Sequence, residues 1–411
     1  MQSGYRSGCG TKTALVRIFE EIFMAMDNKQ VAFLCLLDNS AAFDTVDYDI
    51  LLTRLVRSFG VSGRARDWFK SYFTNRTQQV KINNLLSEPM DIDCGCPQGS
   101  IYGPKAYKQY TRPAGRVISA FDLFHSFYAD DGQLLSRASA HSHTQQFSAL
   151  NTLQSAVDEL GTWMRRNKLK LNEEKTQFMV FGSKRSTSNC QINSIQLGSE
   201  HIPKSEHAVN LGVTMDSELS MSEHINSLCK RCYCSLRIIS RIRQYLDEDS
   251  VKTLVQSLIV SRLDYGNILL YGVNTKELSK LQRVLNAAAR LISRTKVHEH
   301  ITPVLKSLHW LKIQERIEFK IALLVYKSLY CNGPQYLRDL LSFYQPGRSL
   351  RSKDALLLAE PKYKLERCGR RAFSRCGPKV WNSLPIHVRK SKNVNDFKRK
   401  LKTFLFSKCY R

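Results

Sequence analysis

No stretch of this sequence approaches the roughly 20 uninterrupted apolar residues of a membrane-spanning helix, so no membrane partner is expected. The opening MQSGYRSGCGTKTAL carries no signal-peptide core. The chain is therefore expected not to be secreted, and to work in the nucleus, the cytoplasm or both. Its 12 cysteines are scattered through helical and strand patterns rather than spaced as a disulfide framework, which reads as reduced thiols. The tightest group, Cys229, Cys232 and Cys234, lacks a fourth ligand at finger-like spacing, which favours packing on a helix over zinc. Asp44, Asp47 and Asp49 lack the glycine and terminal glutamate of an EF-hand loop, which argues against a calcium-binding structural protein. No internal repeat is visible, and no serine or histidine stands out as a nucleophile. Acidic residues are also scarce, 36 against 62 lysines and arginines.

What is present describes a folded protein. Hydrophobic residues make up 43% of the 411 positions and aromatic residues 10%, enough for a substantial core in two to four domains. The net charge of +26 is uneven: residues 301–411 hold 25 basic against 7 acidic residues, or +18 of it. A basic segment of this density is most simply a polyanion-binding surface, with nucleic acid as the polyanion.

Apolar spacing predicts a helix over Thr11 to Met26 and a strand buried on both faces over Val31 to Asp38. Asp47 is placed to cap a helix with Ile50, Leu51, Leu55 and Phe59 inward and Gly60 as its stop. A second helix carries Trp68, Phe69, Tyr72 and Phe73, and short strands around Val80 and Ile92 lead to the turn-rich CGCPQGS. Phe147, Leu150, Leu153, Val157, Leu160 and Trp163 mark a long amphipathic helix. Phe178 to Phe181 read as a strand, Ser183 to Ser188 as a loop, and Asn210 to Asp216 as another short strand. From Met221 onward the pattern is helical, and Pro/Gly breaks interrupt the basic C-terminal region.

One short run raises a chemical question. FYADDGQLL, from Phe127 to Leu135, sets two carboxylates side by side among apolar and aromatic residues. Strand, Asp-Asp-Gly turn and returning strand would make a hairpin with acids at its tip. If Asp38, at the end of the buried strand, lies in the same sheet, three carboxylates converge. That donor set suits two Mg²⁺ ions, one activating a hydroxyl and the other holding a triphosphate. Without metal, like charges at close range should leave at least one raised pKa in the cluster.

LLDNSAAFDTV, GCPQGS, FYADD, NKLKLNEEKT and NLGVTMD occur in an order and spacing that resembles reverse transcriptases. They look like those of retrotransposons lacking long terminal repeats, the jockey-like group in particular. QSGYRSGCGTKTAL resembles the fingers segment ahead of the first catalytic strand.

The resemblance implies an α+β polymerase palm, an antiparallel sheet with packed helices, over 28–220. It implies a partial fingers segment over 1–27, an α-helical thumb over 221–300, and a basic, mostly helical nucleic-acid-binding region over 301–411. It further implies RNA-directed DNA polymerase activity with Mg²⁺, for which Mn²⁺ can substitute, on deoxynucleoside triphosphates, an RNA template and a DNA primer or target. Asp38, Asp130 and Asp131 match the metal ligands, and Lys175 matches the lysine that protonates pyrophosphate. Phe43 matches the aromatic beneath the incoming sugar, Gln98 and Gly99 the loop contacting template and nucleotide, and Leu211 and Gly212 the turn supporting the primer. Two departures stand out. After GCPQGS the chain reads IYGPKAYKQY where aliphatic residues are usual, so Lys105 and Lys108 are expected to face nucleic acid. Gly132 replaces a common threonine, with little expected effect. The chain begins within the fingers, so it is expected to be a piece of a longer element protein or an inactive, decayed copy that only binds nucleic acid.

Overall fold

The computed structural model describes residues 2–40, 43–97, 99–198, 200–345 and 355–410. The chain divides into two compact units. Residues 1–10, 31–180 and 185–205 form the first, and residues 11–30, 181–184 and 206–411 the second.

The first unit is built on a four-stranded sheet. Strand Gln30–Ser40 runs through its interior, between Asp131–Ser139 on one side and Lys170–Phe181 on the other. Phe124–Tyr128 lies outermost, beside Asp131–Ser139. An interior strand covered on both faces must be apolar on both faces. Val31, Ala32, Phe33, Leu34 and Cys35 are accordingly all buried, which explains the unbroken run in the sequence. The strand continues two residues past Asp38, to Ser40.

Helix Tyr48–Phe59 starts and stops where the sequence says. The Asp47 carboxylate accepts the Ile50 N–H at 2.9 Å, and Gly60 closes the helix in the left-handed region at φ 68°. Leu51 and Leu55 are fully buried beneath it. The long helix His143–Arg166 packs on strand Asp131–Ser139 and buries Leu153, Val157, Leu160 and Met164. Phe147, counted inward from its spacing, is instead 47% exposed. Periodicity gives the direction of a helix face but not how far that face is covered. Between helix Gly63–Phe73 and the CGCPQGS turn, Arg76–Gln78 pairs with Met90–Ile92, and Lys81–Ile82 with Leu85–Leu86. Two further readings are corrected: the strand at Phe178 begins at Lys170, and Lys184–Ser188 forms a helical turn rather than a loop.

The second unit is mostly helical. Its helix Thr11–Asp27 is fixed by two buried carboxylates. Asp27 accepts the N–H groups of Lys364 at 3.0 Å and Leu365 at 2.6 Å, and Glu20 accepts the Ser374 N–H at 3.1 Å. Helices Ser222–Ile242 and Thr275–Ser293 pack together, and Glu248–Val255 continues through a π-turn, Gln256–Val260. The basic C-terminal segment folds around Trp381, with Tyr326 stacked on Phe397 at 4.2 Å between ring centroids. Arg371 is buried, and its guanidinium donates to the carbonyls of Leu219 at 2.6 Å and Tyr271 at 3.2 Å. Burial holds its pKa down at about 10, so it stays charged, with backbone dipoles as its main solvation. The Asn210–Asp216 run is not one strand but a hairpin, His207–Asn210 with Val213–Asp216, turning at Leu211–Gly212. All 12 cysteines are free thiols. No helix among the described residues is long and apolar enough to cross a membrane.

Candidate active site

The acidic hairpin forms, but its turn lies earlier than the sequence indicates. Tyr128 pairs with Asp131 and Phe127 with Gly132, which leaves Ala129 and Asp130 as the two-residue turn. Asp131 already belongs to the returning strand. Ala129 takes φ 57°, a left-handed conformation that costs a residue with a Cβ about 1–2 kcal/mol. Such strain persists only where the surroundings over-determine it.

Here the N-terminal segment does so. The Gln2 carboxamide grips the Ala129 peptide from both ends: Nε2 donates to its carbonyl at 2.9 Å, and Oε1 accepts its N–H at 3.0 Å. The same Oε1 accepts the Gly4 N–H at 2.8 Å, and the Ser3 N–H reaches the Phe127 carbonyl at 2.7 Å. A side chain at residue 4 would collide with the Ala129 backbone nitrogen, so the QSG triplet needs its glycine.

Asp38 sits on the interior strand beside the hairpin. Its Oδ2 is 3.8 Å from Lys175 Nζ, a loose pair because the lysine side chain is 72% exposed. Burial, then the nearby Asp130 and Asp38 carboxylates, push the Asp131 pKa up to about 6. Asn39 ties the backbone of this cluster to the helix beneath: its Nδ2 donates to the Asp130 carbonyl at 2.8 Å and to the Tyr107 hydroxyl at 3.3 Å. Among the described residues, no group of three or more His, Cys, Asp or Glu side chains is close enough to form a ready-made metal cage. Besides burial, Asp130 and Asp38 nevertheless both raise the Asp131 pKa, and carboxylates are the hard-oxygen donors whose repulsion a divalent cation relieves.

Phe43 stacks on Tyr107, with ring centroids 4.8 Å apart and planes inclined 28°. Tyr107 comes from helix Gly103–Thr111, and burial raises its hydroxyl pKa, so it stays protonated. Gly99 adopts φ 80° with open space where a Cβ would stand, so that a ligand could approach its backbone closely. Gln98 lies outside the described residues. Lys105 is exposed, whereas Lys108 lines a cavity of about 560 Å³ with Arg6, Arg112 and Arg116. At Gly132 a Cβ would come within 3.2 Å of Leu37 and the Phe127 ring, so those side chains fill the space a larger residue would need. Leu211 and Gly212 belong to the second unit. They form their turn at φ 45° and 78°, with the Tyr265 hydroxyl donating to the Leu211 carbonyl at 2.6 Å. Sequence reasoning missed Gln2, Gly4, Asn39 and Tyr107. Each acts through a partner remote in sequence, which no local pattern marks.

The family described as reverse transcriptase (RNA-dependent DNA polymerase) matches residues 1–215. The chain is 27% identical over 327 residues to the probable RNA-directed DNA polymerase from transposon BS of Drosophila melanogaster, covering 77% of this chain and 35% of that protein. It is 26% identical over 294 residues to the RNA-directed DNA polymerase from mobile element jockey of the same organism, covering 70% of this chain and 31% of that one. The chain thus spans about a third of the length of these curated relatives. A solved structure of apo telomerase from Candida tropicalis is 11% identical with a TM-score of 0.41, covering 77% of this chain and 51% of that one.

Proposed function

This chain belongs to the reverse transcriptase (RNA-dependent DNA polymerase) family, and from that premise we propose that it is the polymerase core of a retrotransposon lacking long terminal repeats. The reaction is attack of a primer 3′-hydroxyl on the α-phosphate of a deoxynucleoside triphosphate. The new P–O bond forms as the bond to pyrophosphate breaks. The observation that carries this reading is that Asp38 lies on the strand beside the hairpin bearing Asp130 and Asp131, near enough that, besides burial, both neighbours raise the Asp131 pKa.

In this reading Asp38, Asp130 and Asp131 would hold Mg²⁺, which when bound would supply a lowered pKa at the primer hydroxyl and charge neutralisation at the leaving group. The Gln2 clamp on Ala129 and the Asn39 bond to the Asp130 carbonyl fix the hairpin that presents two of the acids. Lys175, beside Asp38 and otherwise in solvent, supplies the proton to departing pyrophosphate. Phe43, backed by the Tyr107 ring, presents a flat wall where a ribose 2′-hydroxyl would need room. Gln98 and Gly99 contact template and nucleotide, Leu211 and Gly212 support the primer, and residues 301–411 hold nucleic acid through their excess charge.

The test is primer extension by this chain on an RNA template with Mg²⁺. Asp130→Asn is expected to abolish extension while leaving RNA binding intact. Extension that survives the substitution would overturn the reading.

A further inference from the structure

The first unit also carries an aromatic and basic face that the reaction above leaves unused. On helix Gly63–Phe73, Arg64, Trp68 and Tyr72 recur every fourth residue and so share one stripe. Arg76, just past the helix, continues it with its guanidinium 5.6 Å from the Tyr72 ring centroid. Trp68 is 55% exposed, unusual for the side chain with the most apolar surface to hide. Its ring lies nearly parallel to Tyr72, 16° between planes and 5.4 Å between centroids. Beneath them, Phe69 packs on Tyr102 at 4.8 Å and Tyr72 meets it edge-on at 6.1 Å. Tyr102 follows Gly99 by three residues, so the aromatic cluster is rooted next to the loop proposed to meet the template. Among the described residues, none of the ion pairs involves Arg64, Arg66, Lys70 or Arg76.

We propose that Trp68 and Tyr72 form a stacking platform for unpaired bases of single-stranded RNA, with Arg64 and Arg76 holding its phosphates; this rests on the polymerase reading for the identity of the strand. The chemistry fits an unpaired strand rather than a duplex. Only an unpaired base offers a π-face to an exposed indole, and Arg64 and Arg76, in none of the ion pairs, match the backbone beside it.

The experiment uses the whole chain in EDTA, so that the acidic cluster contributes no metal-dependent binding. Anisotropy titrations compare an unstructured 12-nucleotide RNA with a blunt 12-base-pair RNA duplex. Trp68→Ala, at a largely exposed position where truncation leaves no cavity, is expected to weaken single-strand binding roughly tenfold and duplex binding by less than about twofold. Trp68→Phe should recover part of the loss. A 4-thiouridine placed in the single strand should crosslink to Trp68 or Tyr72. Unchanged single-strand affinity in Trp68→Ala, an equal loss for duplex, or crosslinks confined to other residues would overturn the proposal. So would a wild-type dimer that Trp68→Ala converts to monomer with RNA binding untouched, since the face would then serve a protein contact. Failure here leaves the polymerase reading standing, because that reading depends on Asp130→Asn and extension. Conversely, a chain that never extends a primer still reports on the platform through binding.

Discussion

Asp130→Asn separates a catalytic acid from a structural one, because the two roles predict opposite signs of stability change. Asp131 is raised from its ordinary 3.8 to about 6. A shift of about 2 units corresponds to about 3 kcal/mol for ionising the group, and solvent screening of a half-buried carboxylate trims this to about 1.5 kcal/mol. Burial is the largest cause and Asp130 the second. Removing the Asp130 charge therefore returns less than half, about 0.5 kcal/mol, or a rise in Tm of about 1–2 °C. The pH window follows from the direction of the shift. A carboxyl raised in the folded state costs nothing below its unfolded pKa near 4, and the cost grows as pH rises through about 6. The variant should therefore match wild type at pH 4 and exceed it slightly at pH 7.5, in EDTA.

Mg²⁺ should reverse that order. At ten times its dissociation constant, a bound cation stabilises the folded state by about 1.4 kcal/mol. The variant, short of one ligand charge, gains little of this. Thermal unfolding at pH 4 and 7.5, with EDTA and with Mg²⁺, reads all four states. A variant less stable than wild type in EDTA at pH 7.5 would make Asp130 a structural residue. An equal gain from Mg²⁺ in both proteins would refute the proposed ligand set.

Gly4→Ala should lower urea stability by about 2–4 kcal/mol and raise hydrogen exchange at the Ala129 amide, since the added methyl displaces the Gln2 clamp; an unchanged amide would mean the N-terminal segment does not hold the turn. Phe43→Val should raise ribonucleotide relative to deoxyribonucleotide incorporation by roughly tenfold or more, measured as the ratio of kcat/KM values; an unchanged ratio in a protein that still polymerises would return Phe43 to packing on Tyr107. Lys398→Gln with Lys402→Gln, both exposed on helix Val394–Cys409, should flatten the log–log salt dependence of RNA binding by roughly 1.5, and an unaltered slope would place the phosphate contacts elsewhere.

What could be read from the sequence was what is decided locally. Asp47 caps and Gly60 ends a helix because each bonds within four or five residues of itself. The interior strand announces itself because burial on both faces forces apolar residues at consecutive positions. The acids of the hairpin were legible for the same reason: charge among apolar neighbours needs a cause. The register of the turn was not. Asp-Asp-Gly offers a glycine, and local rules put the turn there, yet the chain turns at Ala129–Asp130. The deciding contact, from Gln2, comes from 127 residues away. Phe43 likewise could be placed under a sugar by resemblance, while its stacking partner Tyr107 arrives on a helix that no local pattern connects to it.

Ala129 and Leu211 show why such failures fall at strained turns. Each carries a side chain through a left-handed conformation that glycine would adopt without strain, and each is held by a hydrogen bond from a distant residue: Gln2 for Ala129, Tyr265 for Leu211. A turn residue chosen for local ease would form the same bend whether or not its surroundings were in place. A strained one forms it only when the remote partner has docked, so the geometry of the acids is coupled to the folding of the N-terminal segment. Alanine at position 129 makes that coupling stricter than glycine would. Ala129 is buried and lines the same cavity as Lys108 and Arg112, so the bonds from Gln2 to its peptide are what position the turn. Local preference is overridden at the hairpin because the Gln2 hydrogen bonds to the Ala129 peptide outweigh the ease of the turn.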